Sequence, residues 1–309
     1  MVLFTSNRPL ERAENIKAIF DAYEGEKEFI QVDPYHLSPL LRSERYKLRV
    51  SDEFVKVSPG KTILIGHGIA GGKLVGVDQP HPFHNRLWSP LLTYVVTSST
   101  SLIPVVARQS GTTEDRVLAL GMPRTDSYFG KKKGDGGTFL AGKRAYLFCP
   151  TYRAVEETPM PYYDWDTVDQ MLGDDEVLVV KPHMMTGQML HRDYKHIVEV
   201  PGSVPSEAYL IDCDVLITDY SSIMFDAMLL GKPTVLFEKL PGYLETRGMY
   251  LKYPEGYTTR YAMNEYEVLK LCRSANGLNE AEIRCRDTVA DMCDGHSCER
   301  LLRLIERTI

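Results

Sequence analysis

The segment Ile217-Thr218-Asp219-Tyr220-Ser221-Ser222-Ile223-Met224-Phe225-Asp226 joins an apolar strand-like run to a stretch that is apolar almost all round, which Gly231 and Pro233 stop. A helix apolar on every side is buried, so its N-terminus points to one fixed place. Free backbone N–H groups, the positive end of the helix dipole and the Ser221 and Ser222 hydroxyls would together suit a phosphate. The plainer alternative is an Asp or Ser N-cap. Two further segments carry cations and hydroxyls to the ends of strand-like runs. Lys181-Pro182-His183 follows Glu176–Val180, and Cys149-Pro150-Thr151-Tyr152-Arg153 follows Ala145–Cys149. Open α/β sheets bind ligands at their carboxyl edge. Thr151 and Arg153, Lys181 and His183, and Asp219, Ser221 and Ser222 therefore describe a pocket for a pyrophosphate.

A different chemistry is suggested by Gly66-His67-Gly68, which follows the run Thr62–Ile65. Glycines on both sides let the backbone turn sharply and leave the imidazole uncovered. Histidine titrates near neutrality, so His67 is a candidate general base; the alternative is a histidine that only shapes a turn. His81 and His84 lie in a less regular segment and read as loop residues. The run Cys293-Asp-Gly-His296-Ser-Cys298 offers three metal-ligand types but no fourth, so it reads as a turn before a last helix, and no metal is expected. The chain has no Walker sequence, no GxSxG elbow and no HExxH.

The elements that must position these residues are short β-branched runs separated by helical patterns. In the first half they are Val2–Thr5, Phe29–Val32, Thr62–Ile65, Tyr94–Thr97 and Val117–Leu120. In the second they are Ala145–Cys149, Glu176–Val180, His196–Val200, Val215–Thr218 and Thr234–Phe237. This rhythm predicts βαβ units and parallel sheets covered on both faces, an α/β fold. Lys131-Lys-Lys-Gly-Asp-Gly-Gly137 interrupts it and reads as a flexible connector. The expected organisation is a Rossmann-like domain over 1–130, a linker over 131–138 and a second Rossmann-like domain over 139–297. Over 298–309 apolar residues at Cys298, Leu301, Leu302, Ile305 and Ile309 alternate with arginines, which predicts an amphipathic helix.

The 309 residues suit two domains, and a composition 43% hydrophobic and 25% charged excludes disorder as the main theme. No apolar run approaches the ~18 residues of a membrane span, and the first residues carry no secretion signal. A net charge of −6 argues against general nucleic-acid coating. Six cysteines without a CxxC pair fit a reducing compartment, so a cytoplasmic location is expected, with peripheral contact at the inner face of a membrane as a variant.

One set of segments, in order along the chain, carries a specific resemblance. Gly66-His67-Gly68 with Lys73 and Gly76 is followed by Gly121-Met-Pro123-Arg124-Thr-Asp126 and Cys149-Pro-Thr151-Tyr-Arg153. Lys181-Pro-His183, Ile217-Thr-Asp219-Tyr-Ser221-Ser222-Ile-Met-Phe225-Asp226 and Arg247-Gly248 complete it. Over roughly residues 60 to 300 the chain resembles the CDP-glycerol glycerophosphotransferases, the teichoic-acid primases and polymerases. The resemblance implies a GT-B-like fold: two Rossmann-like domains with parallel sheets facing across a cleft, donor nucleotide on the C-terminal one, acceptor on the N-terminal one. It implies that the last helix crosses back to the first domain. It implies His67 as base, and His183, Ser221 and Ser222 as donor-phosphate ligands with Asp219 supporting them. Arg124, Thr151, Arg153, Lys181 and Arg247 become donor or acceptor contacts. The family usually has a tryptophan before its His-Gly pair, where this chain has Gly66.

The implied reaction transfers glycerol phosphate, or a related polyol phosphate, from a CDP-activated donor to an acceptor hydroxyl and releases CMP. The donor is a substrate; no tightly bound cofactor is implied. The acceptor would be lipid-linked or a soluble glycan. A GT-B glycosyltransferase acting on a glycan, a lipid carrier or a modified nucleic-acid base shares the fold, as does a non-catalytic nucleotide-binding module.

Overall fold

Strands alternate with helices throughout, and in the computed structural model every strand pairing within the two six-stranded sheets is parallel. The structure describes residues 1–32, 45–52, 60–66, 68–69, 92–140, 142–151, 163–183, 188–238, 244 and 248–309. The chain forms two compact units, one of Met1–Phe129, Glu245–Tyr250 and Asp287–Ile309, the other of Gly130–Leu244 and Leu251–Arg286.

The first unit holds β1 (Val2–Ser6), β2 (Lys27–Gln31), β3 (Leu48–Ser51), β4 (Lys61–Leu64), β5 (Tyr94–Thr97) and β6 (Val117–Ala119), in the order β2-β1-β3-β4-β5-β6. Its helices are α1 (Glu14–Ala22) and α2 (Ile103–Ser110). The β1 strand is wholly buried, and Phe4 meets Phe20 of α1 edge-on at 5.4 Å. Helix α2 ends where Gly111 takes φ +65°, a left-handed turn that only glycine adopts without strain.

The second unit holds β7 (Arg144–Phe148), β8 (Glu176–Val180), β9 (Ile197–Glu199), β10 (Val215–Thr218), β11 (Thr234–Phe237) and β12 (Tyr261–Ala262), in the order β12-β11-β10-β7-β8-β9. Its helices are α3 (Trp165–Met171), α4 (Glu207–Asp212), α5 (Ile223–Leu229) and α6 (Glu265–Ser274). Side chains alternate faces along a strand, so Tyr146 and Phe148, Leu178 and Val180, and Val215 and Ile217 line one side. There Tyr163 packs between Phe148 and Phe237, at centroid distances of 4.5 and 4.9 Å. Buried Met224, Phe225, Ala227 and Met228 of α5 pack on β10 and β11.

Two helices follow, α7 (Glu280–Val289) and α8 (Ser297–Thr308). Helix α8 belongs to the first unit, buries Leu301, Leu304 and Ile305 there, and is capped by Asp126, whose carboxylate accepts from Ser297 N at 3.0 Å and Cys298 N at 2.7 Å. Its apolar stripe is thus spent on the protein core. Among the described residues no helix is long and apolar enough to cross a membrane.

Two features depart from the sequence reading. The apolar runs of the sequence do not mark β3 or β12: Arg49 interrupts the run of β3, and β12 has two residues. The glycine-rich segment after Lys131 is also not a free tether. Gly134 N, Gly136 N, Thr138 N and Thr138 Oγ1 all donate to the Asp212 carboxylate at 2.7–3.0 Å. Closely spaced amides make a cradle for the carboxylate: Gly134 takes φ +100°, and a Cβ at Gly136 would run into the Ala208 carbonyl oxygen and sit 2.8 Å from the Asp212 carboxylate.

Candidate functional site

In the second sheet the chain runs outward from β7 to β8 and β9, then crosses back to lay β10 on the other side of β7. Connections therefore diverge between β7 and β10 at the carboxyl edge, the place where open α/β sheets bind ligands. The loops after β7, β8 and β10 are neighbours at that edge, because their strands are neighbours. These are the three loops singled out by residue type.

Asp219 ties two of them together. Its Oδ1 accepts from Thr151 N at 2.8 Å and from Tyr220 N at 2.6 Å, and the residue is 6% exposed. Beneath it, Thr218 Oγ1 donates to the Cys149 carbonyl at 2.6 Å and Cys149 N to the Ile217 carbonyl at 3.0 Å. Tyr220 is fully buried, and its ring packs against that of Tyr253 at a centroid distance of 4.7 Å, tilted by 41°. Burial raises the pKa of both phenols, with Glu238 adding to the effect, so they stay neutral. A buried ring between Asp219 and Ser221 anchors the backbone on either side of it.

What this scaffold presents is hydrogen-bonding capacity. Ser221 and Ser222 are half-buried, and Ser222, at the start of α5, makes no side-chain capping bond. The Thr151 hydroxyl is buried and has no hydrogen-bond partner among the described residues, an expensive state that a bound acceptor group would relieve. The α5 helix closes with Gly231 at φ +69°, Gly231 N on Met228 O at 3.1 Å and Lys232 N on Ala227 O at 2.8 Å.

The third loop is held through its backbone. Lys181 N donates to Phe148 O at 2.9 Å, and the Lys181 ammonium reaches the Gly202 carbonyl at 3.3 Å. Burial pushes the Cys149 thiol up to about 12, and the nearby Lys181 cation opposes that shift. Gly202 is a residue the sequence reading missed. A Cβ there would sit 2.8 Å from the His183 carbonyl oxygen and 2.9 Å from that of Pro182. Glycine is what lets the turn after β9 lie against the Lys181–His183 backbone, and the Val200-Pro201-Gly202 turn signal was its only trace.

Thr151, Lys181, His183, Asp219, Ser221 and Ser222 thus share one edge. His67, Arg153 and Arg247 lie outside the described residues. Arg124 is in the first unit, with its guanidinium on the Tyr128 hydroxyl at 2.8 Å and the Glu14 carboxylate at 3.5 Å. A second missed residue sits beside it. Asn15 of α1, 1% exposed, donates from Nδ2 to the Gly66 carbonyl at 3.2 Å and accepts at Oδ1 from Arg124 N at 3.0 Å. It ties the residue preceding His67 to the Met122–Arg124 turn, and Gly66 itself is left-handed at φ +77°. In the turn before α8, Asp294 Oδ1 accepts from His296 N at 3.1 Å, and no metal-ligating cluster occurs among the described residues.

The chain is similar to known proteins in sequence and in fold. Residues 40–307 match the family model described as CDP-glycerol:poly(glycerophosphate) glycerophosphotransferase. The teichoic acid ribitol-phosphate polymerase TarL of Staphylococcus aureus is 26% identical over 300 residues, covering 90% of this chain and 51% of its own. The teichoic acid glycerol-phosphate primase of Bacillus subtilis is 27% identical over 231 residues, covering 70% of this chain and 58% of its own. The chain spans about half the length of the curated relatives it matches. Among solved structures, the wall teichoic acid polymerase TagF superposes with a TM-score of 0.78 at 17% identity, over 99% of this chain and 88% of that one. The UDP complex of Staphylococcus aureus MnaA gives 0.61 at 14% identity, over 99% and 96%. The two likenesses establish the GT-B-like fold.

Proposed function

This chain belongs to the CDP-glycerol:poly(glycerophosphate) glycerophosphotransferase family, and on that premise we propose that it transfers a polyol phosphate from a CDP-activated donor to an acceptor hydroxyl. The observation that carries the proposal is the Thr151 N to Asp219 Oδ1 bond of 2.8 Å. It joins the loops after β7 and β10 at the switch point, beside a buried Thr151 hydroxyl that lacks a partner.

The donor's pyrophosphate would be held at this edge by the Thr151, Ser221 and Ser222 hydroxyls together with His183. The acceptor oxygen bonds to the polyol-bearing phosphorus, and the bond from that phosphorus to the bridging oxygen breaks. CMP leaves with the electron pair, and the acceptor's proton passes to His67. Hydrogen-bond donors fixed before reaction favour the charge that develops on CMP over the bound ground state. Lys181, held on the Gly202 carbonyl, adds positive potential at the same edge. Arg153 and Arg247 are further cationic candidates. The acceptor would be a teichoic-acid-type chain, lipid-linked or soluble.

Phosphorus NMR of incubations with CDP-glycerol, CDP-ribitol and UDP-sugars, each with a polyol-phosphate acceptor, tests the assignment. Release of CMP with a new phosphodiester resonance is expected. Release of a nucleoside diphosphate would assign sugar transfer instead, and donor binding without turnover for any acceptor would reduce the protein to a binding module.

A further inference from the structure

Strand β3 contains an arginine where its neighbours bury apolar or small residues. Arg49 is 3% exposed, and its Nε donates to Thr5 Oγ1 on β1 at 3.0 Å. Both terminal nitrogens, Nη1 and Nη2, are buried and have no hydrogen-bond partner among the described residues. Burial lowers its pKa to about 10, so the group remains a cation at neutral pH, and no acidic side chain among the described residues offsets the cost. A buried, uncompensated charge costs several kcal/mol. One bond to Thr5 does not offset that cost, so the charge has a further use.

Its position says what the use is. In the first sheet the chain runs from β1 outward to β2 and then returns to lay β3 on the other side of β1. The β1/β3 pair is therefore the switch point of this sheet, as β7/β10 is of the other. Thr5 pairs with Ser51, two residues beyond Arg49, so the arginine side chain leans along β3 toward the carboxyl edge. At that edge Ser6 Oγ donates to Asp52 Oδ2 at 3.1 Å, and the Asp52 carboxylate makes no ion pair with Arg49. Thr62 of β4 is the register partner of Arg49 on the same face, and its buried hydroxyl also lacks a partner. Two unsatisfied guanidinium nitrogens and a hydroxyl donor on one face suit an oxyanion, and the guanidinium fork matches two oxygens of a phosphoryl group.

We propose that Arg49, with Thr62 beside it, binds a phosphoryl group of the polyol-phosphate acceptor at the β1/β3 switch point; the identity of the acceptor, though not the anion site, rests on the function proposed above. The test compares the protein with R49K and R49M. Inorganic phosphate and glycerol 3-phosphate are titrated at constant ionic strength, with CMP present to fill the donor pocket, and read by calorimetry and by the rise in Tm. The unaltered protein is expected to gain more from either phosphate than from chloride, and more from glycerol 3-phosphate than from inorganic phosphate. R49K is expected to bind about tenfold more weakly, since it keeps the charge and loses the fork, and R49M to lose the site. CDP-glycerol affinity should be the same in all three. Phosphate affinity unchanged in R49K and R49M, or no response beyond that to chloride in the unaltered protein, would overturn the site. Tighter binding of inorganic phosphate than of glycerol 3-phosphate would overturn its assignment to the acceptor. Should R49M fail to fold, R49K and the unaltered protein decide on their own. A failure of CDP-glycerol to bind would strike at the donor pocket and leave the Arg49 result standing.

Discussion

Replacing Asp219 with alanine deletes one oxygen that two buried backbone donors share, Thr151 N at 2.8 Å and Tyr220 N at 2.6 Å. Each donor left unsatisfied costs about 1–3 kcal/mol, so the pair is worth about 2–6 kcal/mol, toward the upper end because the acceptor is ionised. That is a large share of the ~5–15 kcal/mol that keeps a domain folded. Asparagine preserves an acceptor at Oδ1 and surrenders only the charge, so D219N should lose about 1–2 kcal/mol. Urea unfolding and calorimetric titration of CDP-glycerol on both variants read stability and site geometry separately. Stability should fall in the order unaltered, D219N, D219A. Donor affinity should follow, dropping about tenfold or more in the alanine variant as the Thr151 loop detaches from the β10 loop. If D219A does not fold, the smaller D219N effects carry the comparison. An alanine variant as stable as the parent with the same donor affinity, or an asparagine variant worse than alanine, would refute the claim that this carboxylate welds the two loops.

Three other outcomes follow from specific contacts. G202A should lose about 1–3 kcal/mol and bind CDP-glycerol more weakly, because its Cβ would meet the Pro182 and His183 carbonyls within 3 Å; G142A, which meets nothing within 4 Å, is the neutral control in the same thermal and binding assays. Arg273 Nη2 at 2.6 Å from Glu176 holds that carboxyl at about 2, below its ordinary 4.5, so the stability it supplies is complete above pH 4.5 and fades as pH falls toward 2. The ceiling is about 3 kcal/mol, reduced by solvent around the part-exposed arginine, and the gap between the parent and E176Q in urea melts should close over that window. H67A is expected to keep donor affinity while turnover drops by about two orders of magnitude or more, measured by CMP release; unchanged turnover removes His67 from the chemistry.

Ten of the twelve strands among the described residues, the parallel α/β class and the three loops that meet at the carboxyl edge of the second sheet were legible along the chain. Buried parallel strands are apolar runs of a characteristic length, and ligand-binding residues interrupt them at their carboxyl ends. Such patterns are local, so Lys181-Pro182-His183 after Val180 and Asp219 after Thr218 announce themselves. Strand β3 escaped for the same reason in reverse, because Arg49 breaks its apolar run. The Lys131–Gly137 segment looked like a tether because nothing nearby in the chain reveals that Asp212 fills its ring of amides.

Residue types and spacing by themselves determined the layered α/β architecture and which loops carry hydroxyls and cations. The tertiary structure alone decided the strand order that makes neighbours of β10, β7 and β8, and with it the sharing of Asp219 between two loops 68 residues apart. It alone showed that Gly202 serves by bringing backbones close and Asn15 by bridging two turns, and that Arg49 stands buried without a counter-charge. Periodicity records which face of an element is buried; it carries no record of what lies against that face, because contacts between distant segments leave no spacing to read.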